Sequence, residues 1–284
     1  MRRHVLGSAL VLGSLLVGCG VRPAALPSAP IVPVQTSAQA AKGNFSVKDV
    51  LMPPMAVFQT VEAQNKQFAA WMKTSGGAKW VSTSPVMNTV QFTVAGEKVG
   101  YFVSVHGNAV IAKDGQTESY KAFLNGYLID TKGQLAFSYG LGAGSKADQK
   151  KPEQPSRTFS KKFGDLQLRM PQGEKLPPAI QAKLDALHLA EQATIAGKFP
   201  ASLTMLPTDA SWWNFGACEV WYKDTMVGYW NDPAAWMWQQ DDAAMVCKYG
   251  FMALNILDPA GNRLYGKAQA IEPTNIMGYK SFNL

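Results

Sequence analysis

Residues 88–105 read Asn-Thr-Val-Gln-Phe-Thr-Val-Ala-Gly-Glu-Lys-Val-Gly-Tyr-Phe-Val-Ser-Val. Val90, Phe92 and Val94 alternate with polar neighbours, Ala95-Gly96-Glu97 interrupts, and Tyr101, Val103 and Val105 resume the alternation. A period of two around a turn is the pattern of two antiparallel strands with one face buried. The texture continues outward, with apolar runs at Val110-Ile111, Phe123-Leu124, Tyr127 to Ile129 and Leu135 to Tyr139. Lys113-Asp114-Gly115 and Asp130-Thr131-Lys132-Gly133 separate them as turns. The segment from Trp80 to Gly140 is therefore expected to be an antiparallel meander.

On its N-terminal side, Phe58, Val61, Phe68 and Met72 fall on one helical stripe with Asn65, beside Trp71, between Pro53-Pro54 and Gly76-Gly77. That spacing predicts an amphipathic helix. On the C-terminal side, residues 146–175 hold eight basic against four acidic residues and three prolines. They read as an exposed basic loop followed by a strand within Phe163–Met170, and the loop at 146–162 is a candidate sub-boundary. Ile180, Leu184 and Leu187 then mark a second helix from Pro177-Pro178 to Gly197. The remainder concentrates tryptophan, with six of eight between Trp212 and Trp238. Asn231-Asp232-Pro233 is read as the cap of a short helix carrying Trp236 and Trp238, and Met252–Lys267 as a hairpin turning at Asp258–Gly261. The expected fold class is α+β: a meander, two amphipathic helices and a Trp-rich, disulfide-bonded C-terminal part.

The N-terminus specifies an address. Arg2, Arg3 and His4 precede an apolar run from Val5 to Val17, too short for the roughly 20 residues that span a bilayer. The run ends in Leu16-Val17-Gly18-Cys19, which resembles the lipobox of bacterial lipoprotein precursors; the resemblance covers the first twenty residues only. It implies a signal peptide at 1–18 and a diacylglyceryl anchor on Cys19, where multiple acyl chains give stable membrane attachment. The other reading is an ordinary signal peptide cut near Ala24 or Ala29. Gly20, in place of an inner-membrane retention Asp, implies the outer membrane where the cell has one. Residues 19–44, with Pro23, Pro27, Pro30 and Pro33 and no aromatic residue, are expected to be a flexible tether reaching roughly 25–30 Å. Residues 45–284 are then the globular domain.

Four of the 27 basic residues precede Phe45 and none of the 20 acidic ones does, which leaves the domain too mildly basic to argue for nucleic acid. With Cys19 lipidated, Cys218 and Cys247 are expected to pair as a disulfide in an oxidising compartment; a two-thiol metal site lacks partners at ligand spacing. No nucleophile elbow, zinc-protease helix or phosphate loop is present. Gly140-x-Gly142-x-Gly144 follows a strand without the apolar helix a dinucleotide site requires. Glu219, Asp224, Asp232, Asp241 and Asp242 share the Trp-rich segment, where paired carboxylates beside aromatic platforms would suit glycoside hydrolysis. Capping, solvation and the candidate bridge are the stronger account of them. Trp212, Trp213, Trp221, Trp230, Trp236 and Trp238 are the candidate ligand-binding residues, with core packing as their alternative. No catalytic residue, metal or cofactor is assigned. The expectation is a membrane-anchored envelope lipoprotein that binds or scaffolds, its partners the membrane and an envelope polysaccharide or protein. A carbohydrate-recognition module using exposed tryptophan and an envelope polysaccharide or peptide hydrolase are the alternatives.

Overall fold

The structure, a computed structural model, describes residues 45–76, 78–113, 116–144, 156–159, 164–171, 175–206, 217–241, 244–272 and 279–284. The expected meander forms and gains a strand at each side. β1 (Phe45–Val50), β2 (Ala78–Val94), β3 (Glu97–Lys113), β4 (Gln116–Asp130), β5 (Leu135–Gly144) and β6 (Ser156–Phe159) lie in sequence order in one antiparallel sheet. The quoted hairpin is its centre, with Val90 opposite Phe102 and Val94 opposite Glu97. A register shift after Phe92 inserts Val99 as a bulge, which turns Val99 into the core beside Phe102.

The second half makes another antiparallel sheet. It comprises β7 (Leu166–Arg169), β8 (Thr204–Leu206), β9 (Cys218–Tyr222), β10 (Thr225–Asn231), β11 (Ala234–Asp241), β12 (Ala244–Leu257), β13 (Arg263–Ile271) and β14 (Tyr279–Asn283). Its order is β14-β13-β12-β10-β9-β7, with β11 also on β12 and β8 outside β11. The inward faces of the two sheets meet in one core, which joins Val90, Phe92, Leu124 and Phe137 to Val220, Trp230, Leu254 and Ile256. Trp230 is 1% exposed and sits at the centre, its ring 5.1 Å from Phe102, 5.7 Å from Phe137 and 6.2 Å from Phe92.

Each outer face carries a helix. α1 (Met55–Gly76) packs Val57 and Val61 against Tyr101, Val103, Tyr127 and Ile129 of the first sheet. Asn65, the polar member of its stripe, accepts a 2.9 Å hydrogen bond from the Tyr127 hydroxyl. α2 (Pro178–Ala196) has Pro at its start, where a missing N–H costs nothing, and stops at Gly197, whose N–H bonds back to Ala193. Its Ile180 and Leu184 pack on Tyr229 and Leu257, and Ile195 on Ala235, Met237 and Phe251 of the second sheet. The layers are thus helix, sheet, sheet, helix, all within the unit Gln39–Leu284.

This corrects the α+β expectation. The molecule is mostly β, with two antiparallel sheets and two helices among the described residues. The Trp-rich part contributes most strands of the second sheet, and the short helix expected at Trp236 and Trp238 is strand β11. Asp232-Pro233 interrupts the ladder between β10 and β11 and caps no helix, since both strands pair with the same long β12. The disulfide expectation also falls. Cys218 pairs across the ladder with Trp230, and Cys247 with Trp238, eight residues further along the same path. At about 3.3 Å per residue the two cysteines are separated by on the order of 20 Å, against the 7 Å limit between bridged Cα atoms. Cys218 is buried without a disulfide, its Sγ 3.8 Å from Met170 Sδ; the Cys247 side chain lies outside the described residues.

Candidate functional site

β7 and β9 both alternate, so that Leu166, Leu168, Cys218 and Val220 enter the core while Gln167, Arg169, Glu219 and Trp221 point outward. The register sets Gln167 opposite Trp221 and Arg169 opposite Glu219, and the four side chains form one block. The Arg169 guanidinium lies over the indole of Trp221, 4.2 Å from the ring centroid. Trp221 Nε1–H donates to Glu219 Oε2 at 2.8 Å, and Arg169 Nε donates to Gln167 Oε1 at 3.0 Å. Gln167 is itself fixed by donating Nε2 to the Gly164 carbonyl at 2.8 Å. All four are half-buried. The cluster that α2 covers contains Tyr229 and Leu257 but none of these four.

Such a block is held in one arrangement by its own contacts. A stacked guanidinium is worth about 0.5–1 kcal/mol at an exposed site and retains its planar fork of donors. One face of the indole is occupied by Arg169 and its N–H by Glu219. The surface of the block thus combines a partly covered indole with charges of both signs.

The remaining sequence candidates are dispersed. Trp230 and Trp238 are core residues, 1% and 3% exposed. Trp212, Trp213 and Asp242 lie outside the described residues, as do the side chains of Trp236 and Asp241. Asp224 is exposed in the β9–β10 turn, and Asp232 is buried beyond the opposite end of β10. Glu219 is committed to Trp221. The register thus separates Asp224 from Asp232 by the length of β10, far more than the 5–10 Å between paired glycosidase carboxylates.

Next to the block, on the inward side of the same hairpin, is a groove of about 240 Å³ lined by Phe45, Val94, Tyr222, Met226 and Val227. Lys223 stands at its rim, with Nζ 4.8 Å from the Tyr222 ring centroid. The β9–β10 hairpin therefore presents a charged aromatic surface on one side and an apolar groove on the other.

Sequence reading missed a third feature beneath α2. The helix's buried stripe runs Ile180, Leu184, His188, Glu191, Ile195, and two of its five members are ionisable. The His188 ring nitrogen Nε2 is 2.8 Å from Asn231 Oδ1, while Glu191 faces Asn255 and lies 3.5 Å from Arg263. Asn231 and Asn255 are directly opposed across β10 and β12. Burial lowers the proton affinity of His188 and pushes the Glu191 carboxyl up to about 7, with Asn255 and Arg263 pulling it back only in part. The helical period of the stripe was the available signal, but hydropathy alone does not count His and Glu as members. His188 is 4% exposed.

Among the described residues no group of acidic, His or Cys side chains is arranged to hold a metal ion, and no helix is long and apolar enough to cross a membrane. Comparison with protein-family models, with curated proteins and with solved structures finds no match to this chain.

Proposed function

We propose that the chain is a membrane-anchored envelope lipoprotein with a non-catalytic binding or scaffolding role, held by lipid on Cys19 and recognising its partner with the β9–β10 end of the sandwich. The observation that carries the reading is the Gln167–Arg169–Trp221–Glu219 block, whose four side chains are fixed to one another before any partner arrives. Preorganisation of this kind lowers the entropy lost on binding. The lipobox-like Leu16–Cys19 and the proline-rich segment after it support the address, and the outer membrane is the destination where one exists. Among the alternatives, sugar stacking is disfavoured at Trp221 by the guanidinium on its face, and hydrolysis by the dispersal of Glu219, Asp224 and Asp232.

Oxidative footprinting of intact envelopes and of the purified chain tests this reading. Trp221 is expected to be protected in the envelope and to lose that protection in Arg169→Ala, while the N-terminal peptide carries acyl mass on Cys19. Equal oxidation of Trp221 in both preparations would sink the binding surface. Turnover of an envelope polymer abolished by Glu219→Gln would replace it with an enzyme.

A further inference from the structure

The connection from β1 to α1 is Leu51-Met52-Pro53-Pro54, and α1 opens with Met55. Leu51 is 98% exposed, Met52 71% and Met55 69%. The other exposed large apolar side chains among the described residues, Trp71, Phe159, Met170, Leu189 and Leu264, stand singly in sequence, and isolated exposures of that sort are ordinary on protein surfaces. Three within five residues are not. Pro53 is buried and, with Pro54, stiffens the connection, and the first helical bond closes at 3.0 Å from Phe58 N–H to the Pro54 carbonyl. The apolar side chains are therefore displayed from a fixed support. None of the twelve residues from Val50 to Val61 is charged. An ionisable side chain would oppose entry into hydrocarbon by several kcal/mol, and this stretch itself has none; the exposed Lys132–Asp165 pair belongs to the neighbouring turn that Thr60 bonds at Gly133.

We propose that Leu51, Met52 and Met55 form a wedge that inserts into the lipid surface to which the chain is tethered, so that the sandwich sits on the membrane in one orientation. This rests on the lipoprotein reading for its partner. The segment that begins at Cys19 gives way at Phe45 to β1, only six residues before Leu51, so few residues separate the lipid-bearing end of the chain from the wedge. A lipid anchor supplies a high local concentration of membrane, and three apolar side chains supply the second contact that converts a tether into a seat. The absence of charge along Val50–Val61 favours the lipid interior over a headgroup-directed contact.

The native methionines report on this without substitution. The purified full chain, reconstituted into phosphatidylethanolamine–phosphatidylglycerol vesicles that hold no other protein, is oxidised with peroxide and compared with the Cys19→Ala chain in solution, with Met170, which is 55% exposed on the other sheet, as the internal reference. Met52 and Met55 are expected to oxidise about tenfold more slowly in membranes, the factor that a 1.4 kcal/mol preference for lipid gives, while Met170 is unchanged. The mass of the N-terminal peptide reads acylation in the same sample. Acylated Cys19 with unprotected Met52 and Met55 overturns the wedge and leaves the anchor standing. If Cys19 carries no lipid, liposomes titrated onto the chain decide. Protection of Met52 and Met55 there sustains the wedge without the anchor, and its absence at every lipid concentration removes both.

Discussion

Replacing Glu191 by Gln should stabilise the protein at pH 8 and do almost nothing at pH 4.5. Glu191 is 1% exposed between α2 and β12, and its carboxyl binds its proton up to about pH 7 in the folded chain, against 4.5 when solvated. Between those values the folded state holds more protons than the unfolded one, so stability falls as pH rises from 4.5 to 7. Below that window both states are protonated and no penalty exists. Above it the full penalty is about 3 kcal/mol, from the shift at 1.36 kcal/mol per unit, with the attraction of Arg263 and Asn255 already contained in it. Gln has nearly the shape of the protonated acid and carries no charge at any pH. Its gain at pH 8 is therefore about 3 kcal/mol, or roughly 1 M in urea midpoint for a domain of this size. His188 acts in the opposite sense, since its neutral form is favoured by folding, and the stability this gives is lost as pH falls through 6.5 and below. That term is common to both proteins and cancels in their difference. Equilibrium urea unfolding of wild type and Glu191→Gln at pH 4.5 and pH 8 is the assay. An equal difference at the two pH values, or a less stable Gln variant at pH 8, would refute the reasoning.

Four further outcomes are expected. Trp230→Ala should cost about 3–5 kcal/mol by far-ultraviolet unfolding, because it empties the space between Phe92, Phe102 and Phe137; Trp230→Phe should cost clearly less. Gly126→Ala should cost about 1–3 kcal/mol in the same assay, since an added Cβ would overlap the Phe102 ring. Arg169→Ala should raise acrylamide quenching of Trp221 fluorescence while changing stability by no more than about 1 kcal/mol. Non-reducing peptide mapping should show no link between Cys218 and Cys247, and a reductant should leave the unfolding midpoint where it was, because the ladder holds the two too far apart.

The first half of the fold was legible because its alternation is clean. Val90-Gln-Phe92-Thr-Val94 and Tyr101–Val105 are half-buried strands by period alone, and the Phe58–Met72 stripe gave α1 to within a few residues of Met55–Gly76. β1 escaped notice because six residues at an edge, with Lys48 and Asp49 outward, carry too little pattern. The second half failed for three physical reasons. Asp232-Pro233 has the chemistry of a helix cap, yet long-range pairing with β12 decides its conformation. Cys218 was assigned to a bridge on the logic of compartment, which hid the in-out alternation of Cys218-Glu219-Val220-Trp221. With that alternation unread, the contact of Arg169 with Trp221 was out of reach, because the two are 52 residues apart in sequence and only strand register joins them. Finally, no spacing rule sorts six tryptophans into Trp230, at the centre of the core, and Trp221, at the surface, without knowing which strand faces which.

Phe45, where β1 begins, stacks at 6.1 Å on Phe92, and its ring fills the space that a Cβ on Gly228 would need. β1 then pairs residue for residue with β2 from Phe45–Val94 to Val50–Thr89. Any pull delivered through the preceding chain along the axis of β1 loads those ladder bonds together in shear, with no single bond at the front to peel first. The aromatic plug between the sheets takes part of the load from its first residue onward. The strand that joins the domain to whatever lies before it is thus built as a mechanical clamp, and shortening it or removing the Phe45 ring would lower the force at which the domain yields.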